Sequence, residues 1–384
     1  MNASTSNAGL CATTVQPLLT PVQVGPYRLR NRIVMAPLTR MRAGAGGIPQ
    51  SMNALYYGQR ASAGLVIAEA TPICAGAMGY IHQPGIFNEA QVEGWKRVTE
   101  AVQAEGGTIF LQLFHPGRMS HPLLLNGQLP VAPSVLASGE SSPTAAGMQP
   151  HPLPRALATE EIAGIVANYA RAARLAGAAG FDGVEIHAAN SYLIEQFLHD
   201  GSNRRTHYYG DSIANRTRFL IEVIEAVIEV WGAERVGVRL SPSNTRGGMG
   251  DSDRWALYAH VVSELNARQP AYIHLVEPRV SGNFDVEPEF DLGAGRFRPL
   301  VTGQTKLISA GGHSQMSGNR IIEKGEADLV AFGRSFLANP DLPRRFALDA
   351  PLNDYDRPTF YGGTEKGYID YPFLSDAPHL EGST

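Results

Sequence analysis

The sequence predicts an α/β fold of the (β/α)8 TIM-barrel type, and three observations carry that prediction. Eight short runs are continuously apolar, the pattern of parallel strands covered on both faces. Helical patterns separate the runs, which leaves an open doubly wound sheet or a closed barrel. Polar or glycine residues sit at or just past the end of almost every run: Thr39, Gln112, His187, Arg239, Gly311 and the pair Gly333 and Arg334, with Ala70 in the equivalent place. A barrel gathers its functional face from all eight strand ends, whereas an open sheet concentrates it at one switch point. That spread selects the barrel.

The eight runs are residues 33–38, 65–70, 109–113, 184–187, 236–240, 272–276, 306–310 and 327–332. Helices are predicted over 52–62, 91–103, 159–179, 215–231, 253–267 and 316–324. Thr159, Glu160 and Glu161 give the third helix an N-cap hydroxyl and an acidic first turn, both of which stabilise a helix start. Before the first run, residues 22–32 alternate around Gly25 and Pro26 and predict a hairpin covering the bottom of the barrel. After the third, residues 118–157 are rich in Pro, Ser and Gly with little periodicity. A loop that long inside one domain is usually an excursion over the active site. Residues 361–373, dense in Gly and Tyr, are expected to pack back onto the barrel.

Composition sets limits on function. Of 384 residues, 43% are hydrophobic and 18% charged, ordinary for a globular chain with a sizeable core. One domain is expected over 17–384, behind a loose polar tail over 1–16. The tail has neither the basic start nor the apolar centre of an export signal. A formal net charge of −4 argues against a nucleic-acid partner, and no apolar stretch reaches the roughly 18 residues of a membrane helix. Cys11 and Cys74 are too few for a disulfide framework or a four-thiolate metal site. Both are read as inert thiols, no metal is expected, and a monomer in the cytoplasm is the expected state.

The most informative segment is His187-Ala-Ala-Asn190-Ser-Tyr192, directly after the fourth run. His187 and Asn190 stand three apart in a turn leading to a helix, so both can face one small volume. Two neutral donors converging there would hold a carbonyl or nitro oxygen and stabilise charge as it develops. Tyr192, protonated at neutral pH, can donate a proton. Together they suit conjugate reduction, with hydride added to one alkene carbon and a proton to the other. The bland alternative is that His187 and Asn190 only satisfy loop backbone groups.

Gly311 and Gly312 after the seventh run, with Gly333 and Arg334 after the eighth, let backbone N–H groups approach a phosphate while Arg334 adds charge-assisted bonds. Tight turns are the plain alternative. A buried Arg239 needs a partner, and a flavin edge that becomes anionic on reduction supplies one. Gln112, able to donate and accept, matches the amide-like edge of the same ring. Thr39 is placed to donate to the flavin or to cap a turn.

These segments resemble the Old Yellow Enzyme family of FMN ene-reductases. The resemblance rests on MAPLTR at 35–40, SAGLVIAEA at 62–70, LQLFHPGR at 111–118, GFDGVEIHAANSYLIEQFLHDGSNRRT at 180–206, SAGG at 309–312, FGR at 332–334 and YGGTEKGYIDYP at 361–372. It runs in family order from about residue 17 onward, and most resembles the bacterial branch that includes pentaerythritol tetranitrate reductase and N-ethylmaleimide reductase. It implies that FMN is held non-covalently by Pro37, Thr39, Ala70 and Gln112, with Arg239, Gly312, Gly333 and Arg334 completing the set. His187 and Asn190 would grip the substrate, Tyr192 would be the proton donor, and Tyr80 and Tyr361 would line the pocket with Phe114. NADPH or NADH would be the reductant, and activated alkenes (unsaturated ketones, aldehydes, imides and nitroalkenes) the substrates.

The chain departs from the family pattern in three places. Phe114 replaces the tryptophan of close relatives, which predicts a differently shaped pocket. His207 and Asp211 replace an aspartate and a glycine in a segment read as structural. His115, a family histidine beside the pocket, is also read as structural. Three other readings compete. A dienoyl-CoA reductase-like flavoenzyme would carry a cysteine cluster that is missing here. A phosphate-binding barrel lyase or aldolase would need a barrel-top lysine or metal-binding carboxylates, for which only Glu69 and Glu185 qualify by position. A flavin-storing protein would not need Tyr192.

Overall fold

A computed structural model describes residues 16–282 and 284–375. All of the expected tail but Gln16, and with it Cys11, falls outside the described residues. Alternation at the start gives β1 (Val22–Val24) and β2 (Tyr27–Leu29), an antiparallel pair with Val22 opposite Leu29. The apolar runs become barrel strands: β3 (Ile33–Met35), β4 (Leu65–Pro72) and β5 (Ile109–Phe114). The excursion after β5 holds four short strands, β6 (Val131–Ala132), β7 (Ser141–Thr144), β8 (Gly147–Pro150) and β9 (Arg155–Ala156). The barrel resumes with β10 (Gly183–Ala188), β11 (Val236–Leu240) and β12 (Tyr272–Val276). A small hairpin of β13 (Val280–Ser281) and β14 (Phe284–Asp285) precedes β15 (Lys306–Ala310) and β16 (Leu329–Phe332).

The eight barrel strands pair in parallel in chain order and close through β16 against β3. β3 stops before Pro37, which has no N–H to give the ladder. β4 continues past the expected end and carries a register shift between Ala68 and Thr71, a bulge of the kind found beside active sites. Alternate side chains fill the barrel. Val34, Leu65, Phe110, Tyr272, Ile308 and Leu329 form one interior cluster with Val22, Val24 and Leu29 of the hairpin. Two glycines make this possible. A Cβ on Gly237 would lie 2.2 Å from the Tyr272 ring, and one on Gly183 would lie 2.5 Å from the Phe110 ring. The hairpin closes the lower end, where the Tyr27 hydroxyl donates to Asp182 O at 2.7 Å.

The outward faces of the strands meet α1 (Ser51–Gly58), α2 (Glu89–Ala104), α3 (Thr159–Ala178) and the short α4 (Leu193–Leu198). Then come α5 (Ile213–Trp231), α6 (Arg254–Ala267), α7 (Ala294–Phe297) and α8 (Gln315–Glu323). Two short helices, α9 (Arg334–Ala338) and α10 (Leu342–Ala347), follow the last strand. In α5 the buried Phe219, Leu220, Val223, Ile224 and Val227 follow the spacing of one helical face. The expected Thr159 cap is corrected: Ala158 is the N-cap, Glu161 accepts its N–H at 2.7 Å, and the Thr159 hydroxyl instead accepts from Arg205 at 2.8 Å. Among the described residues no helix is long and apolar enough to cross a membrane.

The C-terminal segment packs back through three buried arginines. Arg40 donates to Phe360 O at 2.9 Å and Gly367 O at 2.7 Å, and Arg42 to Thr359 O at 2.9 Å. Arg60 donates to Tyr368 O at 3.3 Å and to Leu337 O at 2.7 Å, and Tyr368 stacks on Tyr56 with centroids 4.0 Å apart. Charge is spread over carbonyls and over the Tyr56 and Tyr368 rings here, so these guanidinium groups are held without a carboxylate each, although Arg40 Nη1 keeps no hydrogen-bond partner among the described residues.

Candidate active site

The upper half of the barrel interior is charged. Strand register places His187 opposite Arg239, Arg239 opposite His274, and Glu185 opposite Gln112. Glu185 is fully buried and accepts from Gln112 Nε2 at 2.7 Å and from His274 Nδ1 at 2.8 Å. Burial pushes the Glu185 carboxyl up, but His274, Arg239 and Gln112 outweigh it and leave it below the ordinary carboxylate range. Burial also pushes His274 down, against the pull of Glu185, so a neutral imidazole donates to an ionised carboxylate. The remaining charge is Arg239, whose Nε and Nη1 are buried without a protein partner. His187 is held well below the ordinary histidine pKa by burial, then by Arg239 and His274, and its Nδ1 is buried and unpaired.

After β10 the chain makes a strained turn. Asn190 has φ 58° and Ser191 φ 70°, a left-handed backbone that costs non-glycine residues on the order of 1–3 kcal/mol each and clusters at functional sites. Asn190 N donates to Ser241 Oγ at 2.8 Å, and the Ser191 hydroxyl to Arg246 O at 2.6 Å. The turn sets Tyr192 among aromatic rings: His187 at a centroid distance of 4.9 Å and Phe114 at 4.5 Å, both edge-on. The Tyr192 and Tyr80 hydroxyls are 2.7 Å apart. Burial, then Tyr80, holds the Tyr192 phenol well above 10, so it keeps its proton through the neutral range. Tyr361 is 53% exposed and flanks this group instead of lying within it.

At the opposite side of the mouth Gly311 (φ 126°) and Gly312 (φ 62°) form a turn that L residues rarely adopt. They line a cavity of about 850 Å³ with Asn190, Arg239, Gly333 and Arg334, within the usual range for a bound cofactor. Pro37 also lines it; Thr39, Ala70, Gln112, His187 and Tyr192 do not. Arg334 is bound to Asp285 of β14 by two contacts, 2.9 and 2.5 Å. Arg279, close by, donates to Gly311 O at 2.8 Å.

The β4 bulge supplies the third wall. Glu69, fully buried, accepts from Arg40 N at 3.0 Å and from the Tyr57 hydroxyl at 3.2 Å. Burial raises its pKa to about 7. The carbonyl of Ala70 accepts from Gln83 at 2.7 Å. Above the mouth, the excursion is tied down by Glu140 to Arg246 at 2.8 Å and by His151, which bridges Ser138 and Ser142 at 2.8 Å each.

His115 accepts from Gly117 N at 3.1 Å and is pushed by burial to about 3, the behaviour of a loop-bracing neutral imidazole. Burial also raises the Cys74 thiol. Asp211 has φ 70°, a left-handed backbone that favours glycine. Among the described residues, no group of three or more His, Cys, Asp or Glu is placed to hold a metal ion. Glu69 and Glu185 are both committed to internal hydrogen bonds. A flavin mononucleotide fits what is present: two unpaired guanidinium nitrogens answer an anionic ring edge, and the paired glycine turns with Arg334 answer a phosphate.

An all-parallel barrel with that mouth defines a class, the flavin-dependent oxidoreductase barrels. Comparison with known proteins makes the class specific: residues 17–353 match the NADH:flavin oxidoreductase / NADH oxidase family, and the chain belongs to it. It is 47% identical over 374 residues to 12-oxophytodienoate reductase 1 of Oryza sativa subsp. japonica, covering 96% of each chain. The structure of morphinone reductase in complex with tetrahydroNAD superposes with a TM-score of 0.88 at 48% identity, covering 94% of this chain and 98% of that one. The Old Yellow Enzyme homologue of Zymomonas mobilis gives 0.90 at 41% identity, covering 93% and 99%.

Sequence reasoning missed Glu195, Arg246, Arg279 and Asp285. Glu195 left a signal, an acid within the apolar YLIEQFL stretch; the other three lie in short segments between barrel elements, Asp285 in the two-residue β14, and carry none.

Proposed function

We propose that this chain is an NAD(P)H-dependent FMN ene-reductase that reduces activated alkenes, namely unsaturated ketones, aldehydes, imides and nitroalkenes. The observation that carries the reading is the joint placement of neutral His187, strained Asn190 and protonated Tyr192 beside the Arg239 cavity. The chemistry an FMN held there would supply is hydride transfer, from a nicotinamide to the alkene.

The chain's own residues do the rest. His187 and Asn190 donate to the carbonyl or nitro oxygen and stabilise the charge that grows there; donors fixed in advance need no rearrangement at that moment. Tyr192 delivers its proton to the carbon next to the activating group. Arg239 would neutralise the anionic edge of a bound flavin, and the Gly312, Gly333 and Arg334 turns would hold its phosphate. Pro37, Thr39, Ala70 and Gln112 would border the ring, while Tyr80, Phe114 and Tyr361 would shape the alkene pocket. NADPH or NADH and the alkene use one site in turn, which gives ping-pong kinetics. We take the compartment to be the cytoplasm, on the strength of sparse cysteine usage, and the working form to be a monomer.

Tyr192→Phe separates the roles. Flavin reduction by NADPH should stay within about twofold of wild type in stopped flow, while reoxidation by 2-cyclohexenone slows about 10²–10⁴-fold, the usual contribution of a positioned general acid. A mutant that loses flavin reduction and keeps enone reduction contradicts the assignment.

A further inference from the structure

Glu195 has no part in the chemistry above, yet it is one of the most heavily bonded side chains in the molecule. It lies in α4 between the apolar Ile194 and Phe197 and is fully buried. Four donors converge on its carboxylate. Ser191 N at 2.5 Å and Asn244 Nδ2 at 2.8 Å reach one oxygen; Ser241 Oγ at 2.5 Å and the Tyr258 hydroxyl at 3.0 Å reach the other. Burial raises the Glu195 pKa despite these donors, but each acceptor direction is taken by a hydrogen, so the group serves as a carboxylate.

The directions of these bonds are forced. Ser241 Oγ accepts Asn190 N–H at 2.8 Å, so its one hydroxyl hydrogen goes to Glu195. The Tyr258 proton is committed in the same way, so His199 Nε2, 2.9 Å from that hydroxyl, carries the hydrogen that Tyr258 accepts. Asn244 also donates to Ser191 Oγ at 2.9 Å. The amide hydrogens of Asn190 and Ser191, the two left-handed residues, therefore both terminate on one carboxylate, the second directly and the first through Ser241. The same turn places Asn190 in the cavity wall and sets Tyr192 against His187. A carboxylate is the side chain that offers four acceptor sites and no donor; a carboxamide presents an N–H to donors that need an acceptor.

We propose that Glu195 is a positioning residue: by accepting these four donors it locks the turn over 190–192, and so sets the geometry of the oxygen-gripping and proton-donating groups. The inference rests on the ene-reductase reading of that turn. The test compares holoenzymes of wild type, Glu195→Gln, Glu195→Asp and Ser241→Ala, with phenol as the binding probe read by its long-wavelength charge-transfer band and 2-cyclohexenone as substrate.

Glu195→Gln is expected to retain FMN, to bind phenol about tenfold or more weakly, and to lower enone kcat by a similar factor, the loss that follows from breaking hydrogen bonds to a charged group. Glu195→Asp should recover part of both effects. Ser241→Ala, which cuts only the Asn190 arm, should weaken phenol binding about threefold to tenfold, and it decides the matter if Glu195→Gln fails to fold. Phenol affinity and enone kcat within twofold of wild type in the FMN-loaded variants would overturn the proposal. A wild-type protein with neither phenol band nor enone turnover would instead overturn the ene-reductase reading itself.

Discussion

The two sides of the barrel mouth are built on opposite plans. At the end of β10, buried side chains do the building: Glu185 fixes Gln112 and His274, Glu195 fixes the turn, and the aromatic rings confine Tyr192. At the ends of β15 and β16 the backbone does it, with Gly311 and Gly312 left bare and an exposed ion pair, Arg334 with Asp285, at the rim. The difference teaches how the labour divides. Groups that steer developing charge gain most from fixed, water-excluded dipoles. A phosphate needs only N–H groups, a cation and room to enter.

Disturbing each side tests the division. The largest effect is expected at the buried side. Arg239→Ala removes a cavity-lining cation with two buried nitrogens that no described protein group pairs, and FMN affinity, measured by fluorescence titration, should fall about 10- to 100-fold, the equivalent of about 1.5–3 kcal/mol for bonds to a charged group. An unchanged affinity would mean that Arg239 faces away from the flavin.

Glu69 extends the buried plan to the third wall, and its signature is pH dependence. Its folded pKa of about 7 exceeds the unfolded value of about 4.3, so its contribution to stability is full below the unfolded value and is lost as pH rises through 7. Between those limits wild type should lose stability on the order of 3 kcal/mol from this group, and Glu69→Gln should flatten the profile. Denaturant titration at a series of pH values reads it directly.

The exposed side should respond more gently. Asp285→Ala frees Arg334, and because an exposed ion pair is worth at most about 1 kcal/mol, FMN should bind no more than about fivefold tighter. A large loss of FMN would show Asp285 to be part of the cradle instead of a competitor for it. The smallest expected effect is none. His187 is held well below its ordinary pKa and Tyr192 well above its own, so phenol binding should show no histidine titration near pH 6.5.

Most of the barrel was legible in the sequence because its strands are buried on both faces and read as unbroken apolar runs. The His187, Asn190 and Tyr192 constellation was legible because three polar residues follow such a run within six positions. The excursion was not: Ser141–Thr144 and Gly147–Pro150 form a hairpin from SSPT and GMQP, with no apolar alternation to announce it. Thr159 misled because a hydroxyl before an acidic pair suits a cap, while Arg205, far along the chain, claims it in the fold. Arg279 and Asp285 meet their partners only through tertiary packing, so no local pattern could mark them. Glu195 is the intermediate case, visible as an anomaly but uninterpretable until Ser241 and Asn244 are brought to it.

The most direct test of the account is an absorption spectrum of the purified protein, followed anaerobically through addition of NADPH and then 2-cyclohexenone. Flavin bands that bleach with NADPH and return with the enone are the expected result, since they report the cofactor and both half-reactions together. A protein that stays colourless after FMN is offered, or a reduced flavin that the enone leaves bleached, would contradict it.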